Sequence, residues 1–238
     1  MTNDAVAIQR AYYAATAQSY DEAHDAYEEN HGYSLAEQFM LSAARFLNIQ
    51  SILDIGAGTG RVLLKINKEM PDLDAIGIEP SPELRGVGYA NGLSAAQLRD
   101  GDATRLAFDE GSFDLVCEFG VLHHIAAPSR AVSEMLRVAR KAIFIVDNNN
   151  FAVGSNYERM LKQSIAAVGL WRLAVLIKTK GKGYSITEDD GLAYPYSVFD
   201  DYDQIAKNCR SVHMLNTTIA GPNLYRSAPR VALLGIKR

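Results

Sequence analysis

Residues 51–61 are Ser51-Ile52-Leu53-Asp54-Ile55-Gly56-Ala57-Gly58-Thr59-Gly60-Arg61, in which a short apolar run ends in an acid and breaks into three alternating glycines. The apolar run predicts a buried strand, the glycines predict a tight loop, and the apolar spacing after them predicts a helix. Glycine adopts backbone angles that other residues avoid, and it lets a ligand lie against the main chain at a helix N-terminus. The stretch therefore indicates a nucleotide-binding loop.

The spacing of the glycines separates the kinds of nucleotide loop. A dinucleotide fingerprint needs its third glycine one place later, where this chain has Arg61, and a phosphate loop needs a Gly-Lys-Ser/Thr sequence, which is absent. The pattern found, acid-x-Gly-x-Gly-x-Gly, resembles the first motif of the class I S-adenosylmethionine-dependent methyltransferases. This resemblance implies S-adenosylmethionine as the cofactor. It places these loop residues against the cofactor: Asp54, Gly56, Ala57, Gly58 and Gly60.

An acid follows the second predicted strand, since the apolar run 75–78 ends at Glu79. Ligands of open α/β sheets bind beyond the carboxyl ends of the strands, where a carboxylate is able to accept hydrogen bonds from both ribose hydroxyls. Glu79 also matches the acid of the second motif of the same family, and the adjacent Pro80 is included in the predicted cofactor site. The alternative is an exposed charge at a strand end. Ser81 is predicted to cap the next helix.

A third match covers residues 99–117, which resemble the Gly-Asp-Ala…Leu-x-Phe…Ser-Phe-Asp-x-Val run of the branch called type 11. The resemblance implies that Asp102 accepts a hydrogen bond from the exocyclic amine of adenine, because a carboxylate accepts from an amine and cannot donate. It also implies that the amide of Ala103 faces a ring nitrogen of adenine. In the family, backbone at the end of the fourth strand holds the methionine part of the cofactor, so Glu118 and Phe119 complete the predicted cofactor site.

The resemblance implies an α/β fold with a doubly wound, seven-stranded, mostly parallel sheet of the Rossmann-like methyltransferase type, whose last strand is antiparallel. At 238 residues the chain is long enough for one substantial core, so a single domain is expected over 1–238. Its predicted parts are an N-terminal helical lid (1–34), a cofactor-binding core (35–150), a substrate-cover insertion between strands 5 and 6 (151–210) and a final strand pair (211–238). A helix is predicted from Ser34 to Leu47, capped by Ser34 with Glu37 three residues later.

Composition narrows the class of protein. The apolar fraction of 48%, the charged fraction of 22% and the net charge of −4 are ordinary for a globular enzyme and give no reason to expect nucleic acid as a partner. Cys117 and Cys209 are predicted to be reduced thiols rather than a disulfide. With no basic leader before an apolar core and no apolar run long enough to span a bilayer, a cytoplasmic location is predicted.

Two adjacent histidines, His123 and His124, follow the fourth predicted strand and are the acid–base candidates, because histidine titrates near neutral pH. The alternative is that this motif, frequent in type 11 sequences, satisfies local backbone groups. If only one histidine faces the cleft, His124 is the favoured one. Asp147-Asn148 resembles the Asp-Asn pair of metal-dependent catechol-type methyltransferases, but that family's aspartate after strand 4 is replaced here by Glu118, and no metal is predicted.

Candidate substrate contacts lie on both sides of the core. Tyrosine pairs near the N-terminus resemble those that open many small-molecule methyltransferases, asparagines follow the fifth strand, and residues 184–197 form an aromatic, loop-like stretch that suits a sugar or flat ring. The predicted contacts are Tyr12, Tyr20, Asn148, Asn149, Tyr184 and Tyr194. The asparagines equally suit helix caps or Asx turns. Residues 157–182 carry a net charge of +5 around an apolar run, which predicts either a substrate-selecting helix or a core helix with a solvated basic end.

These observations predict transfer of a methyl group from S-adenosylmethionine to a small acceptor, most simply an oxygen of a sugar, glycolipid or secondary metabolite. Contact with a membrane or a lipid-linked substrate is compatible with the basic segment, and the oligomeric state is left open. The alternatives are a quinone-type C- or O-methyltransferase and a non-catalytic module that binds the cofactor as a sensor or as the partner of another subunit. A nicotinamide dehydrogenase is disfavoured by Arg61.

Overall fold

A computed structural model describes residues 2–21, 32–187, 190–218 and 221–238. The strands are β1 (Ser51–Ile55), β2 (Asp74–Ile78), β3 (Leu98–Arg99), β4 (Phe113–Phe119), β5 (Ala139–Asn148), β6 (Ser185–Thr187), β7 (Gly191–Ala193), β8 (Cys209–Asn216) and β9 (Arg230–Lys237). Seven of them form one sheet in the order β3-β2-β1-β4-β5-β9-β8, and β6 pairs with β7 in a separate hairpin. The first five strands of the sheet are parallel, whereas β9 is antiparallel to β5 and β8. The predicted seven-stranded, mostly parallel sheet is confirmed, with its last strand inserted between β5 and β8.

Helices cover both faces of this sheet. They are α1 (Thr2–Thr16), α2 (Tyr33–Phe46), α3 (Arg61–Glu69), α4 (Pro82–Ala90), α5 (Pro128–Val138), α6 (Asn156–Ala167), α7 (Trp171–Lys178) and α8 (Tyr202–Asn208). Met40 of α2 and Leu63 of α3 pack on one face with Phe144 of β5. Met135 of α5 and Ile205 of α8 pack on the other face. Full burial of each such side chain stabilises the fold by about 1.5–3 kcal/mol.

Strands buried on both faces are apolar throughout, because neither side meets water. The central part of β5, from Ala142 to Val146, is fully buried and shows this pattern. Parallel strands end at the same edge of the sheet. The carboxyl ends of β1, β2, β4 and β5 therefore bring the glycine loop, Glu79, Gly120 and Asp147 to one edge, where ligands of such sheets bind.

The predicted cap of α2 is wrong. The helix begins at Tyr33 after Gly32, which has a φ of 78°, and no side chain caps it. A Cβ atom at Gly32 would lie 2.0 Å from the carbonyl oxygen of Thr217, so the chain needs glycine there. Glu37 is buried and pairs with Lys65 instead of capping the helix. The cap predicted at Ser81 is confirmed, since its Oγ accepts a hydrogen bond from the Leu84 amide at 3.3 Å.

Two other predicted boundaries differ. The fifth strand runs on through Asn148, because its last residues pair with the antiparallel strand β9. The stretch 184–197, predicted as a loop, contains the β6–β7 hairpin, in which Ile186 lies opposite Leu192. None of the helices in the described ranges combines the length and apolar character needed to cross a bilayer.

Candidate cofactor and acceptor site

The glycine loop turns between β1 and α3 with positive φ at all three glycines, 66°, 57° and 78° at Gly56, Gly58 and Gly60. A Cβ atom at Gly60 would lie 2.1 Å from a methyl carbon of Leu93, so a side chain there would displace Leu93 in addition to straining the positive φ. A Cβ atom at Gly58 would lie nearest to the ring of Tyr20, at 3.6 Å. Gly58 is buried, so the ring of Tyr20 covers the loop on the side that faces the N-terminal segment.

Glu79 ties this loop to the end of β2. One carboxylate oxygen accepts from the Gly58 amide at 3.0 Å and the other from the Ser81 amide at 2.8 Å. The residue is 4% exposed, and burial raises the pKa of its carboxyl although both amide bonds oppose that rise. Each oxygen keeps a second lone pair for a further donor. The carboxylate thus lies at the loop with acceptor capacity to spare.

The predicted neighbours of Glu79 lie near it. Pro80 lines an open cleft of about 680 Å³ between α1 and α4, together with Arg10, Arg85 and Asp100. The guanidinium of Arg85 donates to the main-chain carbonyl of Glu79 and to the Asp100 carboxylate. The cleft is thus lined by the residue after Glu79, whereas the carboxylate of Glu79 itself is buried.

Asp54 lies at the end of β1, buried beneath the loop. Its Oδ1 is 3.7 Å from the Cys117 sulfur, and its Oδ2 has no partner among the described residues. Burial raises the pKa of the Asp54 carboxyl to about 8. A buried acceptor without a donor is costly, and a donor on a ligand would satisfy it. This orphaned oxygen fits a cofactor that brings a donor group to the glycine loop.

Asp102 and Ala103 lie in the turn after β3. Asp102 is exposed, and its Oδ1 accepts from the amide and hydroxyl of Thr104, both at 2.8 Å, which leaves Oδ2 open to an amine. Ala103 packs at the edge of the core. Both residues suit the adenine end of the cofactor, and their roles stay predictions.

Glu118 and Phe119 end β4. The Glu118 carboxylate accepts from the amides of Val121 and Val146, both at 2.8 Å, and burial raises its pKa well above the usual range. Phe119 packs its ring 5.7 Å from that of Phe144. Both side chains serve the fold, so a contact with the cofactor at this position falls to the backbone.

The two predicted catalytic histidines have different environments. Leu122–His124 forms a 3-10 turn after β4. His123 is buried, and its Nδ1 and Nε2 donate to Asp147 at 2.6 Å and to Asp190 at 3.2 Å. Burial alone would lower the pKa of His123, but the two carboxylates raise it to about 10. His123 is therefore an imidazolium with both nitrogens occupied, and it cannot act as a base near neutral pH.

His124 is partly buried, and one of its ring nitrogens contacts a main-chain carbonyl where both nitrogens of His123 contact carboxylates. Its Nδ1 donates to the main-chain carbonyl of Leu192 at 2.7 Å, which fixes the proton on that atom. Its Nε2 lies 3.4 Å from the carboxylate of Asp190. The ring of Tyr13 stands edge-on to it, with 6.2 Å between the ring centres. Both ring nitrogens of His124 therefore face acceptors, Nδ1 the Leu192 carbonyl and Nε2 the Asp190 carboxylate.

Asp190, on the β6–β7 hairpin, joins both histidines. Burial would raise its pKa, but hydrogen bonds with His123 and His124 hold it below its usual value. In the same way the His123 imidazolium lowers the pKa of buried Asp147. In the described ranges, His123, His124 and Asp190 are the set whose ligand atoms, all within 4.8 Å, would suit a metal ion. Because these ion pairs already satisfy one another, we assign no metal to them.

The charge on His123 has a consequence for stability. A histidine whose pKa is raised on folding stabilises the fold fully below its ordinary value near 6.5, and the stabilisation is lost as the pH rises through about 10. We expect the free energy of unfolding in urea to fall between pH 6.5 and 10, and to fall less steeply in His123→Gln. The raised pKa of Asp54 also makes the free energy of unfolding fall as the pH rises, so Asp54→Asn serves as a control that removes this second contribution. Equal slopes in wild type and His123→Gln would contradict the assignment.

The predicted substrate residues separate into two groups. Asn149 is fully buried, its amide nitrogen lies within hydrogen-bond distance of three main-chain carbonyls, and its oxygen accepts from Ser197 and Phe151. Its amide nitrogen and its oxygen are both engaged within the protein, so Asn149 holds the segment after β5. This agrees with the alternative that the asparagines form caps or turns. Asn148 accepts from Arg230 at 3.2 Å. It remains half-buried at the sheet edge.

The tyrosines surround the histidine turn. Tyr184 and Tyr194 stand edge to face with 5.8 Å between ring centres, and the Tyr194 amide donates to the His123 carbonyl at 2.7 Å. Tyr12 and Tyr20 both pack against Tyr13, at 5.6 and 6.0 Å. The four predicted tyrosines therefore lie on elements that face the carboxyl edge of the sheet, and contact with a substrate stays a prediction.

The N-terminal segment lies over the loop. The Thr59 hydroxyl donates to Asp21 at 2.6 Å, and Asn91 donates to the same carboxylate at 3.1 Å. The predicted lid covers 1–34, of which residues 22–31 lie outside the described residues. The part described contacts the loop that carries the cofactor motif.

Three residues of the site were not predicted. Asp190 and Gln9 fix the hairpin, since the Gln9 side chain accepts from the Leu192 amide at 2.6 Å. Arg230, buried at the start of β9, lies 4.0 Å above the ring of Tyr33. No local pattern marks these residues, because each acts on a partner far away in the chain.

Comparisons with known proteins agree with this geometry. Residues 53–146 match the family model described as a methyltransferase domain. Ajmaline N-methyltransferase of Rauvolfia serpentina is 34% identical over 104 residues, which are 41% of this chain and 35% of that protein. Demethylmenaquinone methyltransferase of Roseiflexus castenholzii is 39% identical over 90 residues, 37% of each chain. The chain thus spans little more than a third of these relatives.

A solved structure shows the same fold over nearly the whole length. A protein of Thermotoga maritima, described as an S-adenosylmethionine-dependent methyltransferase and a possible histamine N-methyltransferase, has a TM-score of 0.57 at 17% identity and covers 95% of this chain and 100% of its own. Fold and loop define the class as Rossmann-like nucleotide-binding α/β proteins. Residues 53–146 match the methyltransferase-domain family, and this match confirms the predicted resemblance to the class I methyltransferases, which implies S-adenosylmethionine as the cofactor.

Proposed function

We propose that the whole chain transfers the methyl group of S-adenosylmethionine to an oxygen of a small acceptor, carried on a sugar, glycolipid or similar metabolite. The observation that supports the proposal is that two parts of a site, one for the cofactor and one for the acceptor, lie at the same edge of the sheet. We call these parts half-sites. Glu79 and the glycine loop, whose Gly58 amide donates to it, form the first half-site. His124, with its Nε2 directed at Asp190, forms the second.

The fit of the cofactor rests on acceptors that the fold leaves available. Glu79 offers spare lone pairs to the ribose hydroxyls, Asp102 offers Oδ2 to the adenine amine, and buried Asp54 lacks a donor for its Oδ2. The bound cofactor supplies an electrophilic methyl group on a sulfonium. The protein's main contribution is alignment, because holding donor and acceptor in line converts the encounter into a unimolecular step.

The acceptor proton is assigned to His124. Both ring nitrogens of His123 are hydrogen-bonded to carboxylates, so the proposal does not use His123 as the base. Because Nδ1 of His124 donates to the Leu192 carbonyl, the proposal places the exchange of the acceptor proton at Nε2, which faces Asp190. Once Nε2 is protonated, Asp190 stabilises the imidazolium across 3.4 Å. A base of this kind favours a hydroxyl acceptor, since a neutral amine attacks without prior loss of a proton.

The relatives point to competing acceptors. One relative is named for N-methylation of ajmaline and another for demethylmenaquinone. An amine or a quinone-type acceptor is therefore the second candidate class. A module that binds the cofactor without turnover is the third, because the fold alone does not require chemistry.

A screen with methyl-labelled S-adenosylmethionine separates these candidates. The purified full chain is incubated with panels of hydroxylated glycolipids, aromatic and aliphatic amines, and demethylated quinones, and label transfer is read by mass spectrometry. We expect labelled ether products from the hydroxylated panel. Labelled amine or ring-carbon products would replace the oxygen proposal. Tight cofactor binding with no label transferred to any panel would favour the binding module.

A further inference from the structure

The helix pair α6–α7 exposes large apolar side chains to solvent. Neither helix contains a buried residue. Ile177 is 71% exposed and Tyr157 is 69% exposed. The exposed apolar residues of the pair are Tyr157, Met160, Leu161, Val168, Leu170, Leu173, Leu176 and Ile177. Apolar side chains scattered singly over a surface are ordinary, but a contiguous group of this size marks an interaction surface.

The spacing of these residues forms a stripe on each helix. The first stripe has residues 157, 160 and 161 on α6 and 168 just after that helix, and the second has 170 just before α7 and 173, 176 and 177 on it. At 3.6 residues per turn, either set covers an arc of roughly 100–120°. We name the two stripes together the α6–α7 face. A surface helix of a globular protein normally turns such a stripe toward the core, and here it is turned outward.

The opposite side of the pair is attached to the protein. The ring of Trp171 packs 5.3 Å from that of Phe151, and Gln163 donates to the carbonyls of Phe151 and Arg226 at 3.1 and 3.2 Å. Lys162 donates to the carbonyls of Asn150 and Val153 at 2.5 and 2.8 Å. These contacts fix the orientation of the pair and hold the α6–α7 face away from the core.

The positive charge around the α6–α7 face favours an anionic partner for it. Residues 157–182 carry a net charge of +5 in a chain whose net charge is −4. Arg172, Lys178, Lys180 and Lys182 are exposed beside the apolar stripes. Basic side chains that flank an apolar face are typical of helices that lie in the interface of an anionic bilayer, where each lysine or arginine near the surface contributes about 1 kcal/mol. A second copy of the chain would bring the same positive charge against it, because symmetric dimers pair identical patches.

We propose that the α6–α7 face docks the protein on an anionic lipid bilayer. Its apolar stripes enter the headgroup region, and its lysines and arginines contact lipid phosphates. The pair follows β5 directly, and Lys162 bonds to Asn150 two residues beyond the carboxyl end of that strand. Docking therefore brings the carboxyl edge of the sheet close to the bilayer. That the acceptor itself is lipid-linked rests on the proposed function, whereas docking does not.

Vesicle sedimentation of the full chain, without cofactor or acceptor, tests docking apart from catalysis. Vesicles of neutral phosphatidylcholine are compared with vesicles that contain one quarter anionic phosphatidylglycerol. We expect binding to the anionic vesicles, weakened by 0.5 M salt. Leu173→Ser with Ile177→Ser is expected to lower the partition coefficient about tenfold or more. Lys178→Ala with Lys180→Ala and Lys182→Ala is expected to lower it about a hundredfold and to flatten the salt dependence.

Matched controls carry the same changes elsewhere. Phe46→Ser removes an apolar side chain that is 86% exposed on α2, and Lys68→Ala with Lys207→Ala and Arg210→Ala removes three exposed charges from other elements. Neither control is expected to change vesicle binding. Circular dichroism and cofactor affinity show whether each variant folds. Equal binding of the α6–α7 variants and wild type, or no binding to either vesicle, would overturn the proposal. So would a dimer in sedimentation velocity that Leu173→Ser with Ile177→Ser converts to monomer.

Discussion

Glu79→Ala is expected to weaken the binding of S-adenosylmethionine and of its demethylated product by about 30-fold, or about 2 kcal/mol. Glu79 is 4% exposed and bridges the amides of Gly58 and Ser81. The alanine variant removes the charged acceptor for the ribose and also leaves two amides without their partner. Both effects act on the same loop. Isothermal titration calorimetry of both ligands measures the loss.

Two further variants separate these effects. Glu79→Gln keeps the shape and one carbonyl acceptor but removes the charge, so an intermediate loss of affinity is expected. Glu110→Ala removes an exposed carboxylate far from the loop in sequence and is expected to leave affinity unchanged. Thermal unfolding shows whether Glu79→Ala has also destabilised the fold. Wild-type affinity in a folded Glu79→Ala protein would remove this residue from the cofactor site.

Features encoded by adjacent residues were predictable from the sequence. The glycine loop follows a strand because an apolar run, an acid and glycines occur together. Glu79 was found because it ends an apolar run, and the Ser81 cap because a short polar side chain precedes Pro82. In each case the structural cause lies within a few residues, so periodicity and local chemistry detect it.

Features that join distant segments were not predictable. Asp190 contacts His123 across 67 positions, and nothing in the acidic stretch before Gly191 indicates a partner. The cap of α2 was mispredicted for the same reason. Ser34 and Glu37 form a capping sequence, but close packing of Gly32 against Thr217 sets where that helix begins. Tertiary packing overrides a local preference that is worth about 1 kcal/mol.

The hydrophobic pattern of residues 157–182 was ambiguous for a different reason. An apolar helical stripe predicts that a face is covered, and it does not say by what. The sequence therefore suited both a core helix and a substrate-selecting helix. The structure shows no buried residue in α6 or α7, which removes the core interpretation. Only the position of the pair relative to the sheet shows that its apolar face points outward.

If His124 removes the acceptor proton, its loss is expected to have a large effect, because a general base typically contributes about 10²–10⁴-fold to the rate of a reaction. His124→Ala is expected to reduce turnover at least about tenfold with cofactor affinity unchanged, since the imidazole bonds to Leu192 and Asp190 and to no residue of the glycine loop. Raising the pH is expected to restore part of the rate as the acceptor hydroxyl ionises unaided. His213→Ala, an exposed histidine on β8, serves as the control. Asp190→Asn is expected to lower kcat more than it changes KM and to shift the pH profile of kcat, a shift that a purely structural role in the hairpin would not produce. Full activity of His124→Ala across the pH range would mean that alignment alone suffices for transfer.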